Sequence, residues 1–285
     1  MTGRGSEGTA RMTAAETRPQ AEAKQEASPF VARAYAIREV SFDAPWSWLA
    51  AGWSDMWRVP SVSLAYGVIF AVTGFLLTVG LTQVGLQSMI IVLAAGFTLA
   101  GPMIAAGLYD TSRRLERCEP VSLASTLRAG FFGKGQLAYM GLLLMFIYLV
   151  WVEIALLLFM IFLRPGAVPP LEAFVPSLLL TRPGLHLLIV GTAVGAALAA
   201  TVFAVSAVAV PLLMIEPVDV ETAVLTSVRA CRENPKAMAL WAALIAGAML
   251  CGFVTLFFGL VIAFPLIGHA TWHAFRDLVE RSDGS

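Results

Sequence analysis

Glu153 is the one acidic residue well inside an apolar run of this sequence, the run at 137–163. It lies about 15 Å from the end of the run if the segment is helical. A carboxylate at membrane depth is costly, and it takes up a proton or finds a donor. Glu153 therefore suits a proton or cation relay, a contact with another subunit, or a neutral carboxyl bonded to a nearby hydroxyl or carbonyl.

His269 and His273 are the second candidate pair. They are four residues apart and share one face of a helix, so both imidazoles could bind one metal ion, or such spans could supply haem ligands. No further cluster of metal-binding residues is near in sequence, and His186 is expected at the opposite side of the membrane. We therefore predict no cofactor. His269 and His273 are a weak candidate for metal binding, and the alternative is that they anchor the helix in the membrane interface beside Trp272.

Motifs typical of enzymes are missing from the sequence. It has no glycine-rich phosphate loop, no nucleophile elbow and no paired acids of the kind that hydrolases use. Cys118 and Cys231 are expected in a reducing compartment and Cys251 in the membrane, so no disulfide framework is predicted. The sequence therefore favours a protein that is not an enzyme.

The composition indicates a membrane protein. Apolar residues make up 58% of the 285 residues and charged residues 13%, which is too little charge for a water-facing surface. Lys plus Arg and Asp plus Glu number 19 each, so no basic excess is available for nucleic acid. The expected environment is the lipid bilayer.

Charge-free runs predict an all-α, polytopic transmembrane helix bundle with six spans. The run at 61–109 is more than twice the length needed to cross a bilayer, so it must turn back, with the turn at 81–87. The last run, 237–275, is read as two short spans with a turn near 252–255, and one long tilted helix is the alternative. The predicted spans are 61–80, 88–109, 137–163, 185–215 and the two within 237–275.

The basic residues predict the orientation. With six spans, 17 Lys and Arg fall on one side and two, Arg164 and Arg182, on the other. Because basic residues are retained in the cytoplasm, both termini of this plasma-membrane protein are expected there. Residues 1–40 are read as a disordered cytoplasmic tail, and 41–281 as the membrane domain.

Three segments of similar pattern precede spans: 45–60, 120–135 and 219–235. Each has apolar residues at helical spacing and is predicted to lie as a short helix in the inner interface. Every second span also carries a proline near its inner end, where we expect a kink: Pro102, Pro211 and Pro265. We therefore expect three parallel repeats, at about 45–117, 120–216 and 219–281. The three kinks either tilt the helices into a bundle or converge on a shared inner vestibule.

Tryptophans and charges mark the predicted inner surface. The tryptophans suited to anchor the interface are Trp46, Trp48, Trp53, Trp57 and Trp272. A mixed cluster where the second span leaves the membrane, repeated more thinly at the end of the last span, is expected to form a solvated cytoplasmic collar. It consists of Asp110, Arg113, Arg114, Arg117 and Arg276. A docking surface or an anionic-lipid site is the functional alternative for this collar.

Four runs carry a resemblance to a known family: LAAGWSDMWRVPSVSLAYG, GPMIAAGLYDTSRRLERCEPVSL, LTSVRACRENPKAM and FPLIGHATWHAFRDL. Together they resemble a family of predicted integral membrane proteins of unknown function, common in alphaproteobacteria. Some members are labelled as similar to subunit I of cytochrome c oxidase. A haem-copper subunit I needs about six histidines, and this sequence has three. The resemblance therefore implies at most an accessory chain of a respiratory complex.

Two functional hypotheses remain. The first is a non-catalytic scaffold, accessory subunit or assembly factor of a larger membrane complex, with other membrane proteins as its partners. The second is a small transporter or channel that uses Glu153 and the kinked inner halves of its helices.

Overall fold

The computed structural model describes residues 35–86, 89–131, 135–163 and 171–280. Within them the chain is helical apart from one short strand pair, so the all-α prediction is confirmed. Residues 1–34, which hold most of the predicted disordered tail, lie outside the described residues.

The first predicted repeat contains four helices: α1 (Ala44–Arg58), α2 (Pro60–Gln83), α3 (Met89–Ile104) and α4 (Ala106–Glu116). Gly85, which follows α2, has a φ of +74°, a conformation that suits glycine. The turn therefore lies inside the predicted segment 81–87. The second predicted span is interrupted at Ala105, three residues after Pro102.

The second predicted repeat contains five helices: α5 (Leu123–Phe131), α6 (Gly135–Leu163), α7 (Leu171–Leu180), α8 (Arg182–Ser206) and α9 (Ala209–Ile215). The sequence analysis did not predict α7. Thr181 separates α7 from α8 and caps α8, its hydroxyl oxygen accepting from the Gly184 N–H at 3.1 Å. The interruption between α8 and α9 includes Ala207, four residues before Pro211. In a continuous helix the ring of Pro211 would clash with the carbonyl of Ala207.

The third predicted repeat contains α10 (Val220–Glu233), α11 (Pro235–Val254) and α12 (Leu260–Leu278). The break between α11 and α12 rules out one long helix and lies slightly later than the predicted turn at 252–255. Thr255 shapes it, since its hydroxyl oxygen accepts from the Gly259 N–H at 2.8 Å. Leu256 and Phe257 take positive φ values here. Pro265 lies in α12 with no helix interruption nearby, whereas an interruption lies within four residues of Pro102 and of Pro211.

The two chain ends of the described domain are joined. Strand β1 (Ala36–Ile37) pairs in antiparallel fashion with β2 (Val279–Glu280), directly after α12. Asn234 also holds this segment, donating to the Arg38 carbonyl and accepting from the Val40 N–H. Residues 35–40 are therefore structured, and the predicted tail boundary at residue 40 is wrong by these few residues.

The helices pack in a cyclic order. The short amphipathic helix of each predicted repeat packs on helices of the second predicted span of the repeat before it: α1 on α12, α5 on α4, and α10 on α8 and α9. Polar contacts accompany each pair, for example Thr126 with Thr111 at 2.9 Å and the Ser227 hydroxyl with the Val208 N–H at 3.1 Å. The end of the bundle that holds α1, α4, α5, α10 and the end of α12 is called the charged end below.

Four helices of the described residues are long and apolar enough to cross a membrane: Pro60–Gln83, Gly135–Leu163, Arg182–Ile215 and Pro235–Val254. The predicted count of six spans is thus reproduced only in part. Helix α3 has 16 residues and is about 24 Å long, short of the ~30 Å hydrocarbon core. Helix α12 carries two histidines, Arg276 and Asp277 in its second half.

The predicted interface tryptophans fall into two groups. Trp46, Trp53 and Trp57 are half exposed along one face of α1, as an interfacial helix requires. Trp48 and Trp272 are each 1% exposed and lie in the core, so the anchoring prediction is wrong for both. Trp48 faces α12, where its N–H donates to Asp277 at 2.7 Å.

Candidate functional site

A buried polar network joins four helices at the charged end. His269 of α12 lies between the Ser63 hydroxyl of α2, 2.9 Å from Nε2, and the Ser112 hydroxyl of α4, 2.8 Å from Nδ1. Asp55 of α1 accepts from Ser112 and, at 2.8 Å, from His273 Nε2. All but His273 are buried, so the network forms a continuous chain from Ser63 to His273.

The direction of donation along this network follows from its members. A carboxylate can only accept, so the Ser112 hydroxyl donates its hydrogen to Asp55. The Ser112 oxygen then accepts from His269, which must carry its proton on Nδ1. His269 Nε2 is then the acceptor of the Ser63 proton. Both ring nitrogens of a neutral His269 are thereby occupied.

Asp55 stays ionised within this arrangement. Burial alone would raise the pKa of its carboxyl, but hydrogen bonds from His273 and Ser112, with the positive charge that His273 and His269 carry when protonated, hold the pKa below its ordinary value. Arg58 adds a cation 3.5 Å away. The carboxylate therefore ties α1 to α4 and α12.

The histidine pair does not form a joint site. His269 is fully buried between serines, whereas His273 pairs with Asp55, so the two rings serve different partners. Within the described ranges no group of three or more His, Cys, Asp or Glu could hold a metal ion. Interfacial anchoring is also wrong for His269, because it lies in the core.

The predicted collar is less solvated than expected. Asp110 is 4% exposed and forms ion pairs with Arg113 and Arg114. Arg276 lies 3.5 Å from Glu116, linking α12 to α4. Arg117, which approaches Glu119, is the most exposed of the predicted set. The cluster thus packs the helix ends together, with its arginines facing outward.

An apolar cavity of about 430 Å³ lies beside this network. Helices α8 and α11 form its two walls, and α3, α4 and α12 close it behind. Its lining includes Pro102, Ala207 and Phe264, the last being the neighbour of Pro265. The cavity lining therefore includes one predicted kink, Pro102, and residues four and one positions before the other two.

The cavity is polar at one end only. Tyr109, Ser206, Trp241 and Thr271 line it toward the charged end. Trp241 is fully buried, and its N–H has no hydrogen-bond partner among the described residues. Small side chains form the facing walls, with Ala196, Ala199 and Ala200 on α8 and Ala242, Ala243 and Ala246 on α11.

Glu153 lies elsewhere. It is on the exposed face of α6 and is not among the residues that line the cavity. Across the part of the chain that the structure describes, Glu153 has no hydrogen bond or ion pair. The exposed residues that share its face, at helical spacing, are Leu142, Phe146, Leu149, Leu157 and Met160. This set with Glu153 is called the α6 stripe below.

The comparisons with known proteins agree with this architecture. Residues 89–214 match a family described as a predicted integral membrane protein (DUF2189). The predicted resemblance to an uncharacterised membrane protein family is thereby confirmed, and the matched region contains one of the four runs that carried it, the run beginning at Gly101. Neither the curated proteins nor the solved structures give a match.

Several residues of the site were missed from the sequence. Asp55 follows Trp48 and Gly52 at helical spacing, on the face opposite Trp53 and Trp57, and this two-faced pattern is the signal that was available. The alanines of α8 and α11 recur every three or four residues, a pattern that by itself indicates only close helix packing. Ser63 and Ser112 carry no signal in the sequence that separates them from ordinary serines.

Proposed function

We propose that this protein is a non-catalytic accessory or scaffold subunit of a larger membrane complex, and that the α6 stripe is its contact with a partner helix. Helix α6 is the least buried of the four candidate spans, with 11% of its most apolar window buried. A carboxylate lies at the centre of that open face. The proposal rests on the exposed position of Glu153 on this face of α6.

A charged or protonated carboxyl facing lipid is costly, and such residues usually face other protein. A partner helix with an Arg, Lys, Asn or Gln at the same depth would supply the missing donor. The flanking Leu142 and Leu157 give that helix an apolar surface on which to pack. The transporter hypothesis gains no comparable support, since Glu153 does not reach the cavity.

The topology proposed for this subunit has six crossings and both termini in the cytoplasm of a bacterium. Supporting it, the four charge-bearing segments meet at one end of the bundle, through Asp55 with His273, Glu116 with Arg276 and Asn234 with the Arg38 carbonyl. At the other end, the last part of α2 and the first part of α3 line a small pocket together with Phe253 and Phe257. The cyclic packing of α1, α5 and α10 supports three parallel repeats.

Loss of the carboxylate should weaken the complex. Purified gently from native membranes, the wild-type protein is expected to carry one or more other membrane proteins in fixed ratio, identified by mass spectrometry. In Glu153→Gln we expect about tenfold weaker retention, because an interhelical contact with a charged donor is lost. Glu153→Leu should lose the partner as well.

The matched control is Met145→Ala, which trims an exposed α6 side chain outside the α6 stripe. Its retention of the partner should be at most a fewfold weaker than that of the wild type. A wild-type protein that elutes alone, and identically to Glu153→Leu, would contradict the proposal. Self-association that disappears in Glu153→Gln would contradict a separate partner and indicate a homo-oligomer instead.

Native cysteines test the orientation. Cys118 at the charged end is exposed, whereas burial raises the pKa of the Cys231 thiol to about 11 and leaves little reactive thiolate at neutral pH. A membrane-impermeant maleimide should therefore label Cys118 in inverted vesicles and leave it unlabelled in intact spheroplasts. Cys118→Ser should abolish that label. Labelling of Cys118 in spheroplasts would reverse the proposed topology.

A further inference from the structure

We infer that the cavity between α8 and α11 binds one long aliphatic chain that ends in a hydrogen-bond acceptor, entering from the membrane. The volume of about 430 Å³ falls within the range of roughly 300–1,000 Å³ typical of small-molecule sites. This inference is independent of the role proposed for Glu153, which lies on another helix.

The cavity occupies a place where helix packing is otherwise expected. In the cyclic arrangement α2 packs on α12 and α6 packs on α3, so α11 should pack on α8 in the same way. Instead α8 and α11 make hardly any direct contact. Alanine stripes normally allow two helices to approach closely. Here the alanine stripes of α8 and α11 face each other across an open slot. Another apolar molecule is therefore needed to fill the slot.

The slot opens toward lipid. Ala196 and Ala199 on α8 and Ala243 and Ala246 on α11 are exposed even though they line the cavity. Both helices belong to the candidate membrane spans. A chain from the surrounding bilayer can therefore enter sideways, without crossing water.

The orientation of the chain follows from Trp241, which among the described residues that line the cavity is the one with a buried N–H lacking a hydrogen-bond partner; the N–H of Trp272, likewise unpartnered, belongs to a residue outside the lining. Trp241 lies near the charged end, and a ring contact with Trp48 at 5.7 Å fixes its indole. A buried N–H without an acceptor is costly. An ester carbonyl or a carboxylate at the end of the chain would satisfy it after a small shift of the side chains that enclose the N–H, which has under 1 Å² of accessible surface in the structure. The rest of the chain would lie along α11 toward Met249 and Phe253, about 18 Å away.

The polar end argues against a partner helix as the occupant. The backbone carbonyls of a transmembrane helix are already used within that helix, so it has little to offer the Trp241 N–H. The deep lining of Phe70 and Phe264 is also enclosed by the protein, with both rings at most 6% exposed. A thin flexible chain reaches that depth more readily than a helix does.

Photo-crosslinking tests the inference with two probes. The full-length protein is placed in phosphatidylcholine nanodiscs that contain either a phosphatidylcholine with a diazirine in one acyl chain or a free sixteen-carbon diazirine fatty acid. Adducts located by mass spectrometry should concentrate on residues 196–207 and 241–253. The probe that labels them decides between a bilayer phospholipid and a free acid as the source.

Filling the slot provides the matched comparison. Ala243→Phe combined with Ala246→Phe should lower adduct yield in these segments about tenfold. Ala239→Phe and Ala197→Phe, exposed positions on the same helices outside the lining, should leave it unchanged. Equal yields in filled and control variants, or equal labelling of the α6 stripe, would overturn the inference. A protein adduct of higher mass at these segments would overturn it too, by indicating a partner helix.

Trp241→Phe tests whether the N–H donor contributes to binding, apart from the space that the cavity provides. It keeps the ring contact but removes the donor, so labelling by the acceptor-bearing probes should fall about fivefold. Labelling by a diazirine alkane of the same length should not change. Equal effects on both probes would refute the donor role of Trp241. Elution and melting matched to the wild type establish that each variant is folded.

Discussion

Replacing Gly67 with alanine should cost the protein about 3 kcal/mol or more of folding free energy. A Cβ at this position of α2 would lie 2.3 Å from the backbone oxygen of Val261 in α12. That separation is far inside van der Waals contact, and the obstacle is main chain, so the two helices must move apart. Overpacking of this kind usually costs about 1–3 kcal/mol, and a rigid obstacle raises the cost. The measurement is unfolding by sodium dodecyl sulfate in mixed micelles.

Gly80→Ala is the matched control, because Gly80 lies on the same helix with nothing within 4 Å of an added Cβ. It should be neutral or slightly stabilising, since alanine favours the helix over glycine by about 1 kcal/mol. Equal destabilisation by both substitutions would show that the close approach of α2 to α12 does not matter for stability.

Asp55→Ala should destabilise the fold by about 3 kcal/mol at neutral pH. The substitution leaves Ser112 and His273 without their acceptor, and removing one partner of a buried pair costs about 3–5 kcal/mol. The partial exposure of His273 reduces that figure. Thermal inactivation in mild detergent, followed by size exclusion, measures the loss. Asp43→Ala, at an exposed carboxylate without a side-chain cap bond, should change stability by less than about 0.5 kcal/mol.

The effect of Asp55 should depend on pH in a defined direction. Its pKa is lowered in the folded protein, so its contribution is fully present above the ordinary value of 3.8 and is lost as the pH falls through the folded pKa, which is lower still. The stability gap between wild type and Asp55→Asn should therefore narrow as the pH falls below about 4. A gap that closes near pH 6.5 would instead assign the contribution to a histidine.

The secondary structure followed from the sequence because charge and hydrophobicity act locally. The amphipathic patterns at 45–60, 120–135 and 219–235 mark α1, α5 and α10, and the proline at 102 lies close to a helix interruption. The turn between α11 and α12 lies later than predicted because Thr255, a residue with no strong turn preference, shapes it. Helix α7 carries no clear periodic signal of its own.

The candidate site was harder to predict because its members come from distant parts of the chain. Ser63, Ser112 and His269 are up to 206 residues apart, and only tertiary packing makes them neighbours. Trp48 and Trp46 look equivalent in the sequence, yet one faces α12 and the other faces outward. The cavity is even harder to predict from the sequence. The same alanine pattern occurs whether two helices pack closely or leave a gap between them.

The pairing of β1 with β2, and of α1 with α12, also constrains how the protein is made. The segment that leaves the ribosome early obtains its packing partner only when the last helix has been synthesised and inserted. Until then the Asp55 and Trp48 face of α1 stays uncovered, available to chaperones and membrane proteases. A chain that stops before residue 260 therefore leaves this face of α1 without its partner, however well the earlier helices have inserted.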